Sequence, residues 1–268
     1  MKLAVSNIAW SAEEDAAAFD LLRRLGIAGL EIAPPRVWPD AAAVTGEAAR
    51  AYRAEMAACG FEVAAFQSLL FGKNEWNLFD TATASICADY LIALGRLASW
   101  LGARSLVFGS PRNRAVPEGM SDGEAQERAA AFFRPVAAAY ADLGVVLGLE
   151  PNPAAYACNF IQTIDEAAAL VREVDSPGFR LHLDAGEMQM NAEAIEAVLP
   201  RHLDLVTHVH ASEPMLATLA DTWDGHRRLA AVLRENQYGG WVSLEMKRPP
   251  GGLAEVERAV TLLKEIYA

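Results

Sequence analysis

The sequence predicts an α/β protein, a single (β/α)8 barrel domain spanning residues 1–268, and three observations carry that prediction. Strand-like apolar runs recur eight times, each followed by a stretch of helical periodicity. The runs are apolar on both faces, as parallel strands covered by helices must be. Polar and acidic residues close many of the runs, not one or two. An open doubly wound sheet shares the alternation, but its dinucleotide-binding form carries a G-x-G-x-x-G after the first strand, and none follows the first run here. Eight units in 268 residues also suit the closed barrel, which typically takes about 250 residues and keeps its active groups at the C-terminal ends of its strands.

In chain order, the first strand runs from Leu3 to Ala9, and Ser11 with Glu14 forms a capping box for a helix reaching Leu25. Gly29 to Pro34 is the second strand, followed by a helix over Glu47 to Cys59. Phe61 to Gln67 is the third, and a long aromatic loop separates it from a helix over about Thr81 to Leu101. Ser105 to Phe108 is the fourth, with a second capping box at Ser121 and Glu124. Val145 to Glu150 is the fifth, and Thr163 with Glu166 caps its helix. Phe179 to Asp184 precedes a short helix beginning near Asn191, and Leu205 to His210 precedes one beginning near Asp224. Trp241 to Met246 is the eighth strand, and Leu253 to Tyr267 is the last helix.

Composition narrows the function. A net charge of −12 argues against nucleic acid, whose phosphates demand a basic footprint. The odd and widely spaced cysteines, Cys59, Cys87 and Cys158, read as buried reduced thiols. The N-terminus lacks the layout of a signal peptide and no apolar run reads as a membrane span, so a cytoplasmic address is expected.

The chemistry collects at the ends of the last four strands. Glu150 ends VVLGLE, Asp184 ends RLHLD, His210 ends VTHVH and Glu245 ends WVSLE. An acidic residue ending one strand is ordinarily a helix cap or a solvated loop group. Four such residues at equal depth on consecutive strands are different, because neighbouring carboxylates repel unless a cation compensates them. Three carboxylates and one imidazole form an oxygen-rich site suited to Mn²⁺ or Mg²⁺, with Co²⁺ or Zn²⁺ also acceptable. The two-residue strand period places His182 and His208 on the same inward faces, one pleat deeper. There they are expected to hydrogen-bond and orient Asp184 and His210.

This strand-end series, in its order and intervals, resembles the xylose isomerase-like TIM barrel superfamily, in the branch of ketose 3-epimerases, hydroxypyruvate isomerase and inosose dehydratase. The resemblance spans essentially the whole chain. It implies that Glu150, Asp184, His210 and Glu245 bind one Mn²⁺-like ion, and that Glu150 and Glu245 move protons on opposite faces of a substrate. It also implies a homodimer. Two positions depart from the epimerase pattern. Glu187 stands where a substrate-binding histidine is expected, and Leu216, ending SEPML, stands near an expected arginine.

The loops add candidate substrate contacts. Trp10, Trp38, Phe71, Trp76 and Trp223 fall near strand ends, where they either wall a sugar or pack the rim. Arg112 and Arg114 in FGSPRNR, with Lys247 and Arg248 before Gly251 and Gly252, either receive an anion or form surface ion pairs. Glu31 either contacts a substrate hydroxyl or fixes a loop, and His226 either reaches the mouth or packs. The expected ligand is a small sugar, sugar phosphate or cyclitol, with no nucleic-acid or membrane partner. A metal-polarised carbonyl makes the neighbouring carbon acidic, so an enediolate could lead to epimerisation, isomerisation or loss of a β-hydroxyl. The residues leave open an isomerase or epimerase, a lyase on a keto-cyclitol or keto-sugar, and a non-catalytic sugar-binding barrel.

Overall fold

A computed structural model describes residues 1–268. Eight parallel strands close into one barrel in sequence order: β1 (Lys2–Ser6), β2 (Gly29–Ile32), β3 (Glu62–Phe66), β4 (Ser105–Phe108), β5 (Val146–Leu149), β6 (Phe179–Asp184), β7 (Val206–Ser212) and β8 (Trp241–Glu245). Closure comes from β1 pairing with β8, where Lys2 lies opposite Trp241 and Val5 opposite Leu244. Ten α-helices lie between and after the strands: α1 (Asp15–Arg24), α2 (Pro34–Val37), α3 (Gly46–Ala58), α4 (Ala84–Leu101), α5 (Asp122–Leu143), α6 (Ile164–Val174), α7 (Ala185–Met190), α8 (Ile195–Val198), α9 (Gly225–Glu235) and α10 (Leu253–Tyr267). One continuous cluster of 71 buried apolar residues joins barrel and helices, so the chain has a single core.

All eight expected strands form, and the differences at their ends have local causes. β1 stops at Ser6 because Asn7–Ala9 turns into a 3-10 helix. β2 stops at Ile32 because Pro34 and Pro35 open α2, where a missing amide hydrogen costs nothing. Glu14 accepts from the Ser11 amide at 2.9 Å, and Thr163 and Glu166 cap each other reciprocally at the start of α6. At α5 only half of the expected box forms. Ser121 accepts from the Glu124 amide, but the Glu124 carboxylate pairs with Arg128 at 2.8 Å.

Two expectations are corrected. The helix after β6 begins at Ala185 and not near Asn191, because the Asp184 side chain caps it by accepting from the Glu187 amide at 2.8 Å. Glu187 therefore sits in the first turn of α7, beside the barrel mouth. The second correction concerns α4, which is long and apolar enough to cross a membrane by length and composition. Here its apolar stripe, including Leu91, Leu94 and Leu101, is buried against the barrel. Gly95 makes the close packing possible, since a Cβ there would come within 2.8 Å of the Tyr140 ring of α5. The three cysteines are unpaired; Cys87 and Cys158 are buried and Cys59 half-buried.

Candidate metal centre

Strand register brings the site together. Asp184 of β6 pairs with His210 of β7, and Ser212 of β7 pairs with Glu245 of β8. Glu150 follows β5 directly, and its amide bonds to the Phe108 carbonyl of β4. Gly109 leaves the room that the Glu150 carboxylate occupies: a Cβ at Gly109 would lie 2.0 Å from Glu150 Oε2.

His210 is the hub. Its Nδ1 faces Glu245 Oε2 at 3.2 Å, Asp184 Oδ2 at 3.6 Å and Glu150 Oε1 at 3.8 Å. None of the three contacts has hydrogen-bond geometry, so this buried nitrogen has no partner in the chain. Its other nitrogen, Nε2, lies 2.9 Å from Glu31 Oε1. Asp184 is fixed on both oxygens, by the Glu187 amide on Oδ1 and by the Ser212 hydroxyl, 2.7 Å away, on Oδ2. Three carboxylates thus converge on one unpaired imidazole nitrogen, an arrangement whose donors fit a divalent cation and whose mutual repulsion calls for one.

The protonation equilibria register that strain. Burial, with Asp184 and Glu245 nearby, pushes the Glu150 carboxyl up to about 8. Burial also raises Glu245, and it raises Glu187 well above the usual carboxylate range, with Glu150 and Asp184 adding to it. For His210 burial alone would lower the pKa, but Glu31 and Glu245 outweigh it and hold the ring well above its ordinary value. Burial likewise opposes ionisation of Glu31, yet His210 and His208 hold that carboxyl well below its usual range.

The two deeper histidines lie on the expected inward face but contact different residues. His208 Nε2 lies 3.3 Å from Glu31 Oε1, so it flanks the carboxylate that holds His210 and does not contact Asp184. His182 packs edge-on against the His210 ring and comes 3.4 Å from Glu150 Oε1. Its nitrogens make no hydrogen bond, and Glu150, His182, Asp184 and His210 could also group around one ion. His182 is fully buried beneath the cavity, whereas Glu150, Asp184 and Glu245 line it.

Above the cluster lies a cavity of about 360 Å³ at the C-terminal mouth of the barrel. Glu187 and Leu216, the two departures from the epimerase pattern, both line it, as do Arg112 and Phe71. Other expected contacts lie elsewhere. Glu31 is fully buried and occupied by His208 and His210, so it faces a histidine pair and no substrate hydroxyl. Arg114 is fully buried and donates to the Glu150 and Ile161 carbonyls and to Asn152 Oδ1, which spends its charge on the loop after β5. Trp10 is buried, donates to Asp15 and packs on Phe19. Trp38 packs on Tyr52 and Trp76 on Tyr90. Trp223 stacks edge-on against His226, which bonds Tyr267 Oη at 2.9 Å in the interior. Lys247 is exposed and outside the cavity lining, and Arg248 pairs with Glu14 at 2.8 Å.

Sequence reasoning missed Asn152, Tyr156, Gln67 and Ser212. Asn152 donates to both Glu150 and Glu187 while accepting from Arg114, so one amide ties two carboxyls to a buried cation. The only available signal was its place two residues after a strand-end glutamate.

The sequence profile of the xylose isomerase-like TIM barrel family matches residues 19–266, and the chain belongs to that family. No curated protein matches it by sequence. Among solved structures it is similar to D-psicose 3-epimerase with D-tagatose from Clostridium cellulolyticum H10, at 16% identity and a TM-score of 0.81, covering 100% of this chain and 99% of that one. It is also similar to 3-keto-D-glucoside 4-epimerase from E. coli, at 18% identity and a TM-score of 0.75, covering 99% of both chains. A third is D-allulose 3-epimerase from Methylomonas sp. in complex with D-allulose, at 18% identity and a TM-score of 0.76, covering 100% and 97%.

Proposed function

We propose that this member of the xylose isomerase-like TIM barrel family is a divalent-metal-dependent isomerase or epimerase of a sugar or sugar derivative. The observation that carries the reading is the convergence of Glu150, Asp184 and Glu245 on the unpaired Nδ1 of His210, beneath a sugar-sized cavity. The epimerases with the same fold support it. A divalent cation held by those four side chains, Mn²⁺ in our reading, would supply Lewis acidity to a substrate carbonyl and so make the adjacent C–H acidic.

The remaining work falls to the chain's own carboxyls. Glu150 and Glu245 come from strands three apart around the barrel and both reach the cavity, so a carbon lying between them presents a different face to each. One carboxylate removes a proton to leave an enediolate, and the other returns a proton to the opposite face, which inverts the centre. Return to the neighbouring carbon gives aldose–ketose isomerisation. Without a cation, burial and the neighbouring Asp184 and Glu245 push the Glu150 carboxyl up to about 8; a divalent ion held beside it would favour its ionised form, the form that can accept a proton. Asn152 and the Arg114–Glu150 carbonyl contact hold that carboxyl in place.

The test is solvent deuterium exchange. With Mn²⁺ bound, the protein is expected to wash deuterium into the carbon next to the carbonyl of a ketose or keto-cyclitol. Metal-loaded protein that exchanges nothing across a broad panel refutes the reading.

One observation favours a second reading, a lyase on the same site. Glu187 lines the cavity, shares the Asn152 amide with Glu150 and has its pKa raised chiefly by burial, so it is placed to donate a proton to a departing β-hydroxyl. Such a reaction produces a conjugated enone absorbance and no new epimer.

A further inference from the structure

Arg112 is the one cation among the residues lining the mouth cavity, whose floor carries Glu150, Asp184, Glu187 and Glu245. It is also the arginine of its loop left without work. Arg114, two residues on, is buried under hydrogen bonds. Between them Asn113 is buried too, and its amide donates to the Lys73 and Trp76 carbonyls at 2.7 and 2.8 Å. On the other side Pro111 opens the turn, and Ser110 holds the left-handed backbone conformation that starts it, with φ 48°. The backbone of Arg112 is therefore pinned on both sides while its guanidinium makes no ion pair or hydrogen bond within the chain.

Two neutral donors share that wall. The Ser110 hydroxyl and the Asn74 amide also line the cavity, and neither side chain bonds to another group of the protein. A turn whose backbone is held while it offers an uncommitted guanidinium and hydroxyl, with a free amide beside them in the same cavity lining, has the donors an anion needs, and binding has to order only the side chains. The acidic floor does not forbid this. A divalent cation held by those carboxylates would offset their charge.

We propose that Arg112, with Ser110 and Asn74, forms an anion subsite, so that the substrate is a sugar derivative carrying a carboxylate or phosphate away from its reacting carbonyl. This rests on the sugar isomerase or epimerase reading for the identity of the rest of the ligand.

The experiment measures binding and exchange in parallel on the Mn²⁺-loaded full chain, using a neutral ketose, its terminal carboxylate and its terminal phosphate. Calorimetry on the wild type is expected to show one anionic form binding about 10- to 100-fold tighter than the neutral parent, the scale of a charge-assisted hydrogen-bond pair. Which anion wins separates a sugar acid from a sugar phosphate. R112A should erase that preference with thermal stability unchanged, costing the anionic form about 10-fold or more affinity beyond any change for the neutral ketose, and R112K should restore part of it. Equal affinity for neutral and anionic ketoses, or an R112A loss shared by all three, overturns the subsite. Preference without exchange leaves the subsite standing and removes the isomerase reading; exchange without preference does the reverse.

Discussion

Glu31 Oε1 lies 2.9 Å from Nε2 of His210, a contact between residues 179 apart in sequence that turns Nδ1 of the ring toward Glu150, Asp184 and Glu245. A carboxylate behind a ligating histidine fixes which nitrogen carries the proton and raises the basicity of the other.

Glu31→Gln should therefore weaken metal binding by about 10- to 100-fold, the usual effect of removing such a partner. Titration calorimetry with Mn²⁺ checks it. Affinity equal to wild type would mean that Glu31 does not orient the ring. Sugar selectivity should be unchanged, because Glu31 is fully buried and lines no part of the cavity.

Glu150→Gln and Glu245→Gln should keep the fold and lower deuterium exchange by about 100-fold or more, the scale of general acid–base catalysis. Circular dichroism and proton NMR read the two properties separately. If either variant exchanges at the wild-type rate, that carboxyl is not a proton carrier.

The metal-free protein should lose stability as pH rises from neutrality toward about 8. Glu150 keeps its proton up to about 8 when folded, against an ordinary 4.5 when unfolded, so the unfolded chain binds fewer protons in between and stability falls with rising pH. His210, raised above its ordinary 6.5 by Glu31 and Glu245 despite burial, adds in the same direction. His182 and His208, lowered chiefly by burial, act oppositely but at and below pH 6.5, outside this window. Mn²⁺ should displace these protons, so the Tm gain on adding it should be larger at pH 8 than at pH 6.5. A gain that is flat with pH would contradict the linkage.

Arg114→Met should destabilise the fold by about 1–3 kcal/mol, because it leaves the Glu150 and Ile161 carbonyls and the Asn152 amide oxygen short of a donor in the interior. Thermal or urea unfolding measures this. Arg112→Ala, two residues away and exposed, should change stability by less than about 0.5 kcal/mol. Equal losses would contradict the division of labour between the two arginines.

The strands, their order and the four inward strand-end residues were legible in the sequence, because a period of two and apolar runs on both faces are properties of single segments. Capping was less so. Asp184 reads as a metal ligand at a strand end, but it is also the N-cap of α7, and that second role brings Glu187 to the mouth. The arginines show the limit most plainly. Arg112 and Arg114 look alike in PRNR, yet one lines the cavity and the other is fully buried beneath the β5 loop. A two-residue step in an irregular turn has no fixed periodicity from which a direction can be read.

By itself the sequence determined the barrel, its single core and the identity of the groups that meet at the mouth, since alternation and hydrophobic pattern act along the chain. Only the tertiary structure decided the partners of those groups. Glu31 serves His210, Asn152 ties Glu150 to Glu187, and His226 bonds Tyr267 in the interior, because barrel closure sets which strands and loops face one another across the axis. Hydrogen bonds act over about 3 Å, and whether residues far apart in the chain come that close is a property of the closed barrel, not of any one segment.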